Sequence, residues 1–160
     1  MNFSRNIGIK AALMAVVIVA FALAFSSCNT ASKAAAGNQI AYTVAHNYFV
    51  RNDVTTYGTQ VINSQADFEK TFGMAPVMGD GGLPTEIDFS RQTVLSVTTP
   101  PSTHSTEIIP AALTADENGN ATLKYKTLVS SEEQSYSSIA SLIVVTNKLN
   151  GSTIKFSLTR

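Results

Sequence analysis

The sequence predicts a mainly β domain after residue 40, an antiparallel β-sandwich or partly open barrel with one short helix. Three observations carry that expectation. Apolar and polar residues alternate in short runs, as at Ile40, Tyr42 and Val44 and again at Ile154, Phe156 and Leu158. Turn-forming pairs punctuate the chain, most clearly Asn118-Gly119 and Asn150-Gly151. Only the stretch that begins at Ser64 has helical spacing. An α+β arrangement, a single sheet with that helix packed on it, is the runner-up.

The first residues read as an address rather than as part of the fold. Arg5 and Lys10 make a positive start, and residues 11–25 are an unbroken run of 15 apolar residues. A membrane-spanning helix needs about 20 such residues, so the run fits the core of a signal peptide. It ends in Phe25-Ser26-Ser27-Cys28, with small residues directly before the only cysteine of the chain. A single cysteine forms no internal disulfide. The arrangement resembles the lipobox of bacterial lipoproteins, with Phe25 where Leu is usual. The resemblance implies a signal peptide over 1–27 and lipidation of Cys28, which then carries the protein into the bacterial cell envelope. Several acyl chains hold a protein firmly where one does not. For a Gram-negative host, the absence of Asp at position 29 implies, by the same resemblance, sorting to the outer membrane, facing the periplasm or the surface. Residues 28–39 then read as the lipidated cysteine and a Ser-, Ala- and Gly-rich tether, and 40–160 as a single β-rich domain.

Within that domain each element has its own signal. Residues 40–44 alternate as a strand, residues 45–47 read as a turn or bulge, and Tyr48-Phe49-Val50 resumes the strand. Asn52-Asp53 is a turn candidate. Residues 55–62 are rich in β-formers, with Gly58 as a break or bulge. Ser64 then predicts an N-cap, with Asp67 three residues on. Phe68 and Phe72 share one face of a two-turn helix that Gly73 can end. Residues 74–84 hold Gly79, Asp80, Gly81, Gly82 and Pro84, too dense for helix or strand, and read as a loop.

Val94, Leu95 and Val97 predict a core strand, and residues 99–104 a second loop. Residues 107–109 predict a strand, which Pro110 marks as an edge or bulge. Asn118-Gly119 predicts a hairpin into the half-exposed strand of Leu123 and Tyr125. Residues 130–138 are polar. Leu142-Ile143-Val144-Val145 is the most apolar run of the domain, and Asn150-Gly151 predicts a second hairpin into the last strand.

Composition excludes some function classes. The chain has 160 residues, 11 bases and 11 acids, and only 14% charged residues. Removal of 1–27 takes away Arg5 and Lys10 but no acid, leaving nine bases against 11 acids. This is no nucleic-acid binder and no polyacidic tail.

The chain carries few chemistry-bearing motifs. His46 and His104 lie far apart in sequence, and neither has a His or Cys at metal-ligand spacing. His104 stands among Ser102, Thr103, Ser105, Thr106 and Glu107, yet no Gly-x-Ser-x-Gly elbow is present, and a solvent-facing loop histidine is the simpler reading. Asp116, Asn118 and Asn120 imitate an EF-hand opening, but Ala121 and Thr127 occupy its glycine and glutamate positions. Residues 79–82 lack the Lys and Ser/Thr of a phosphate loop, and Glu132-Glu133 reads as a solvated pair. The expectation is therefore a protein without cofactor or metal, and not an enzyme. The Asn-x-Ser/Thr sequences at Asn120 and Asn150 read as hairpin turns.

One further resemblance covers residues 60–158. Residues 62–72 (Ile62-Asn63-Ser64-Gln65-Ala66-Asp67-Phe68-Glu69-Lys70-Thr71-Phe72), followed by Ile87-Asp88-Phe89-Ser90-Arg91 leading into the Val94-Leu95 strand, resemble the PrcB-like family of protease-complex subunits. The resemblance implies association with, or inhibition of, a protease. The Gly-Gly-Tyr loop of several members is replaced here by Pro100-Pro101-Ser102-Thr103-His104-Ser105. The expected function is a lipid-anchored, non-catalytic domain that binds a protein or peptide partner. The expected contact residues are Pro100, Pro101, Thr103 and His104, with Asp80 and Gly82 in a second loop. The alternatives are a structural or assembly lipoprotein and a carrier of a small ligand or glycan. Tyr42, Tyr48, Phe49, Tyr57, Phe68, Phe72 and Phe89 could line the carrier's cleft, but core packing explains most of them.

Overall fold

A computed structural model describes residues 38–159. The expected signal peptide, Cys28 and the expected tether as far as residue 37 lie outside the described residues. The elements are β1 (Tyr42–Val44), β2 (Tyr48–Val50), β3 (Gly58–Ile62), α1 (Gln65–Thr71), β4 (Phe72–Met74), β5 (Gln92–Thr98), β6 (Ser102–Ala115), β7 (Ala121–Ser138), β8 (Ser141–Asn147) and β9 (Ile154–Leu158). They form a four-stranded sheet in the order β1-β8-β5-β3, a three-stranded sheet β6-β7-β9, and the ribbon β2-β4. The fold is a mainly β sandwich with one short helix and no closed barrel among the described residues.

The four-stranded sheet is buried on both faces. In the β5–β8 ladder Leu95 stands opposite Val144 and Val94 opposite Val145. Side chains alternate along a strand, so the two pairs point to opposite faces. Leu95, Val97, Leu142 and Val144 pack with Ile108, Leu113, Ala121 and Leu123 of the three-stranded sheet. Val94, Ile143 and Val145 pack instead with Ile62, Val50, Phe68 and Phe72. This explains why 142–145 is apolar at every position, since neither face meets water. The helix packing foreseen in the single-sheet alternative is thus present, as the sandwich's third layer.

The helix follows its sequence signals. The Ser64 hydroxyl accepts from the Asp67 amide, and Lys70 pairs with Asp67 at 2.7 Å. The Phe68 ring lies 5.0 Å from Phe72 and 5.1 Å from Tyr48. Gly73 does not end the helix. Phe72 is its C-cap, and the chain enters β4 at once, because Phe72 is buried opposite Val50 in the β2–β4 ladder. Residues 45–47 break the first strand as expected, with Asn47 left-handed at φ 63°. The strand expected over 55–62 begins only at Gly58.

Two expectations are corrected around the second sheet, and one polar stretch is assigned. The loop placed at 99–104 is confined to 99–101, because β6 begins at Ser102. The polar stretch 130–138 is strand, paired with the start of β6. Asn150-Gly151 makes no hairpin. At the end of β8 beside this turn both edges are taken, by β1 over 144–146 and by β5, so β9 crosses to the other sheet and pairs in parallel with β7. Asn118-Gly119 does form its hairpin: Gly119 adopts φ 79°, and Ala115 pairs with Ala121 across the turn. Asp116 accepts from the backbone of Asn118 and Asn120 and from the Asn120 side chain. The carboxylate of the EF-like stretch is committed to the turn.

The two sheets share one continuous ribbon. The β5–β8 ladder ends at Thr98 opposite Ser141, Thr99 and Ala140 exchange hydrogen bonds, and pairing resumes at Ser102 opposite Ser138. Eight residue steps separate Thr98 from Thr106, whereas twelve separate their partners Ser141 and Val129. The surplus is absorbed as bulges on β7, which let a ribbon turn a corner. The chain at 38–40 closes one side of the sandwich. Ile40 donates to the Leu113 carbonyl and Ala115 to that of Asn38 before β1 joins β8. Asn38 and Gln39, read as tether, are therefore bonded to β6.

Leu95 is completely buried between the sheets. Leu95→Ala is expected to cost about 2–5 kcal/mol of unfolding free energy, measured by urea denaturation. The exposed Leu158→Ala is expected to change it by less than about 0.5 kcal/mol.

Candidate functional site

The geometry gathers around the place where β1 ends. Ala45 makes the last bond to β8, donating to the Ile143 carbonyl. Asn47 then turns the chain and holds the 74–85 loop. Its side-chain amide donates to the carbonyls of Gly81 and Leu83 at 2.8 and 2.9 Å, and its own carbonyl accepts from Ala75. His46 donates through its amide to the Thr85 hydroxyl, and the Tyr48 hydroxyl donates to the Thr85 carbonyl. Burial of Tyr48 raises its phenol pKa.

Inside the loop, Val77 donates to the Gly82 carbonyl and Gly82 to that of Gly79. A Cβ on Gly82 would run into the Val77 carbonyl, so glycine is required there. Gly82 is thus a buried structural residue, whereas Asp80 is exposed near the tip. The loop presents apolar side chains to solvent: Val77 is 64% exposed, Leu83 80% and Met78 100%. Sequence reading found this loop through its glycines and proline. Its apolar surface was missed, and the signal was three large apolar residues among turn formers.

Beside the loop lies a cleft of about 370 Å³, lined by residues 44–46, Tyr48, 107–110 and 141–143. His46 and Glu107 are its exposed polar rim, and Ile108 and Leu142 belong to its buried floor. The cleft joins strands distant in sequence, so no local signal marks it.

The expected contact residues lie at the ribbon's corner. Pro100 and Pro101 are exposed in the 99–101 turn. Thr103 donates to Glu133 at 2.9 Å, and His104 Nδ1 lies 3.2 Å from the Ser130 carbonyl oxygen. His104 is half-buried in a strand rather than solvent-facing in a loop, because residues 129–138 pair alongside it. None of the six expected contact residues lines the cleft: Glu107 follows His104 by three residues, and His46 is bonded to Thr85 at the foot of the 74–85 loop. Among the described residues no group of three or more His, Cys, Asp or Glu could hold a metal ion.

The Asp88-Phe89-Ser90-Arg91 motif has a local structural role. Asp88 accepts from the Ser90 amide and hydroxyl and pairs with Arg91 at 2.8 Å. Phe89 packs against Phe68, and its carbonyl accepts from Lys148. The turn thereby launches β5 and ties it to the end of β8. No family model matches the chain, and no curated protein or solved structure does.

The Ser90 hydroxyl, then Arg91 and the Ser90 amide, lower the Asp88 pKa to about 2. A depressed folded-state pKa stabilises the fold above the ordinary carboxylate value, and that contribution is lost as pH falls toward 2. Melting temperatures between pH 5 and 2 are expected to fall less steeply in Asp88→Asn than in wild type. The slope does not vanish, because Asp53, Asp67 and Asp116 are also lowered.

Proposed function

We propose that this protein is a lipid-anchored domain of the bacterial envelope that binds a protein or peptide partner without catalysing a reaction. The observation that carries the reading is the 74–85 loop, held at its base by Asn47 while Val77, Met78 and Leu83 stand in water. Exposed apolar clusters on a soluble face mark interaction sites. A loop already ordered by internal hydrogen bonds loses less conformational entropy on binding. Met and Leu adapt well to the grooves of a partner.

The anchor is the lipid that the lipobox resemblance implies on Cys28, and the PrcB-like resemblance implies that the partner is a protease. Residues 29–37 separate Cys28 from the described domain. The domain-side attachment at Asn38 is bonded to Ala115 near the hairpin turn, whereas the loop is bonded to Asn47.

The test is a photo-crosslinking amino acid at Met78 of the full chain in living cells, with Glu117 in the hairpin turn as control. The expected result is a discrete protein adduct at 78 and none at 117. Equal adducts at both positions, or none at 78, would overturn the binding assignment. The full chain is expected to incorporate radiolabelled fatty acid in bacterial cells, and Cys28→Ser is expected to take up none. Equal label in both would overturn the anchor.

A further inference from the structure

We propose that the cleft beside the loop is a subsite for a basic side chain, lysine or arginine, carried on a short extended segment of the partner. The proposal rests on the reading of this protein as a peptide- or protein-binding domain and adds the chemistry of what it recognises.

The cleft exists because two strand edges are left incomplete where they face each other. The β1 ladder on β8 stops at Val44 opposite Val144, with the single further bond from Ala45 to Ile143. Ser141 and Leu142 of β8 therefore have β5 on one side and the cleft on the other. β6 is an edge strand, and residues 38–40 cover it only at 113–115. Over 107–110 its second neighbour is the cleft. Pro110 and the bulge that follows it block a long added strand, as edge strands commonly do. The space suits a short segment whose side chain supplies most of the recognition.

Charge selects that side chain. Glu107 is the one carboxylate lining the cleft, and no Lys or Arg lines it. Glu107 takes part in none of the ion pairs of the described residues, which join Arg51 to Asp53, Lys70 to Asp67 and Arg91 to Asp88. Residues 72–90 carry Asp80, Glu86 and Asp88 and no Lys or Arg, and the nearest cation in the ladder, Lys126, stands opposite Ile109 and is not part of the lining. An aliphatic stem lies well against Ile108, Pro110 and Leu142, with its charged head at the Glu107 rim. Surfaces of complementary charge favour the cationic partner and reject the anionic one. The same lack of basic residues makes the loop a poor match for an anionic lipid surface.

The probes are three fluorescent tetrapeptides of Val and Leu with Lys, Glu or norleucine at the third position, titrated by anisotropy against the full chain in neutral detergent. The Lys peptide is expected to bind about tenfold tighter than the Glu peptide. Glu107→Gln is expected to remove that preference and Glu107→Lys to reverse it, while Glu117→Lys, in the hairpin turn, leaves it intact. Equal binding of the Lys and Glu peptides to wild type, or a preference that survives Glu107→Lys, would overturn the subsite. A preference lost equally in Glu117→Lys would do so too, since net charge would then explain it. The Met78 cross-link reports partner binding separately, so its persistence without peptide discrimination removes the subsite alone.

Discussion

Burial of β5 and β8 on both faces is the constraint that the remaining structure serves. Leu95 and Val144 on one face, and Val94 and Val145 on the other, keep both sides of the sheet from water. Each face therefore needs a cover. The ribbon supplies one by turning a corner at 99–101 and returning as β6 and β7. Helix α1 and the β2–β4 ribbon supply the other, through Phe68, Phe72 and Val50. Apolar area of this kind contributes about 25 cal/mol per Å², which makes a two-sided sheet a strong nucleus for a small domain.

The corner and the site are consequences of that arrangement. A ribbon that folds over must spend extra residues, and β7 spends them between Val129 and Ser141. Residues 38–40 bond to β6 and β1 to β8, and the segment completes neither edge, which leaves the cleft. After β1 the chain must turn outward to build the cover of the second face. Asn47 makes that turn and in the same residue holds the apolar loop. Fold and candidate site are thus joined at one residue with left-handed backbone.

Much of the fold was legible in the residues. The alternation at Leu123 and Tyr125, the Asn118-Gly119 hairpin, the Ser64 cap and the apolar run at 142–145 are local signals, and each has its structural counterpart. What escaped was non-local. Residues 130–138 are polar because the corner faces solvent, so their pairing leaves no periodicity to read. Asn150-Gly151 has the composition of a hairpin, but whether a turn joins neighbouring strands depends on which edges are vacant, and both edges at that end of β8 were taken. Phe72 left the helix for the demand of a buried pair with Val50. The site divides in the same way: the glycines of the 74–85 loop announce it, whereas the cleft is assembled from three separated segments.

Native-state hydrogen exchange of the full chain tests most directly whether the two-sided sheet underlies the rest. Amides of 94–97 and 142–145 are expected to exchange last, only through global unfolding, with those of 130–137 exchanging early. Exchange at 94–97 and 142–145 that precedes opening of α1 or β9 would contradict the account, because the sheet would then be a dependent of its covers rather than their base.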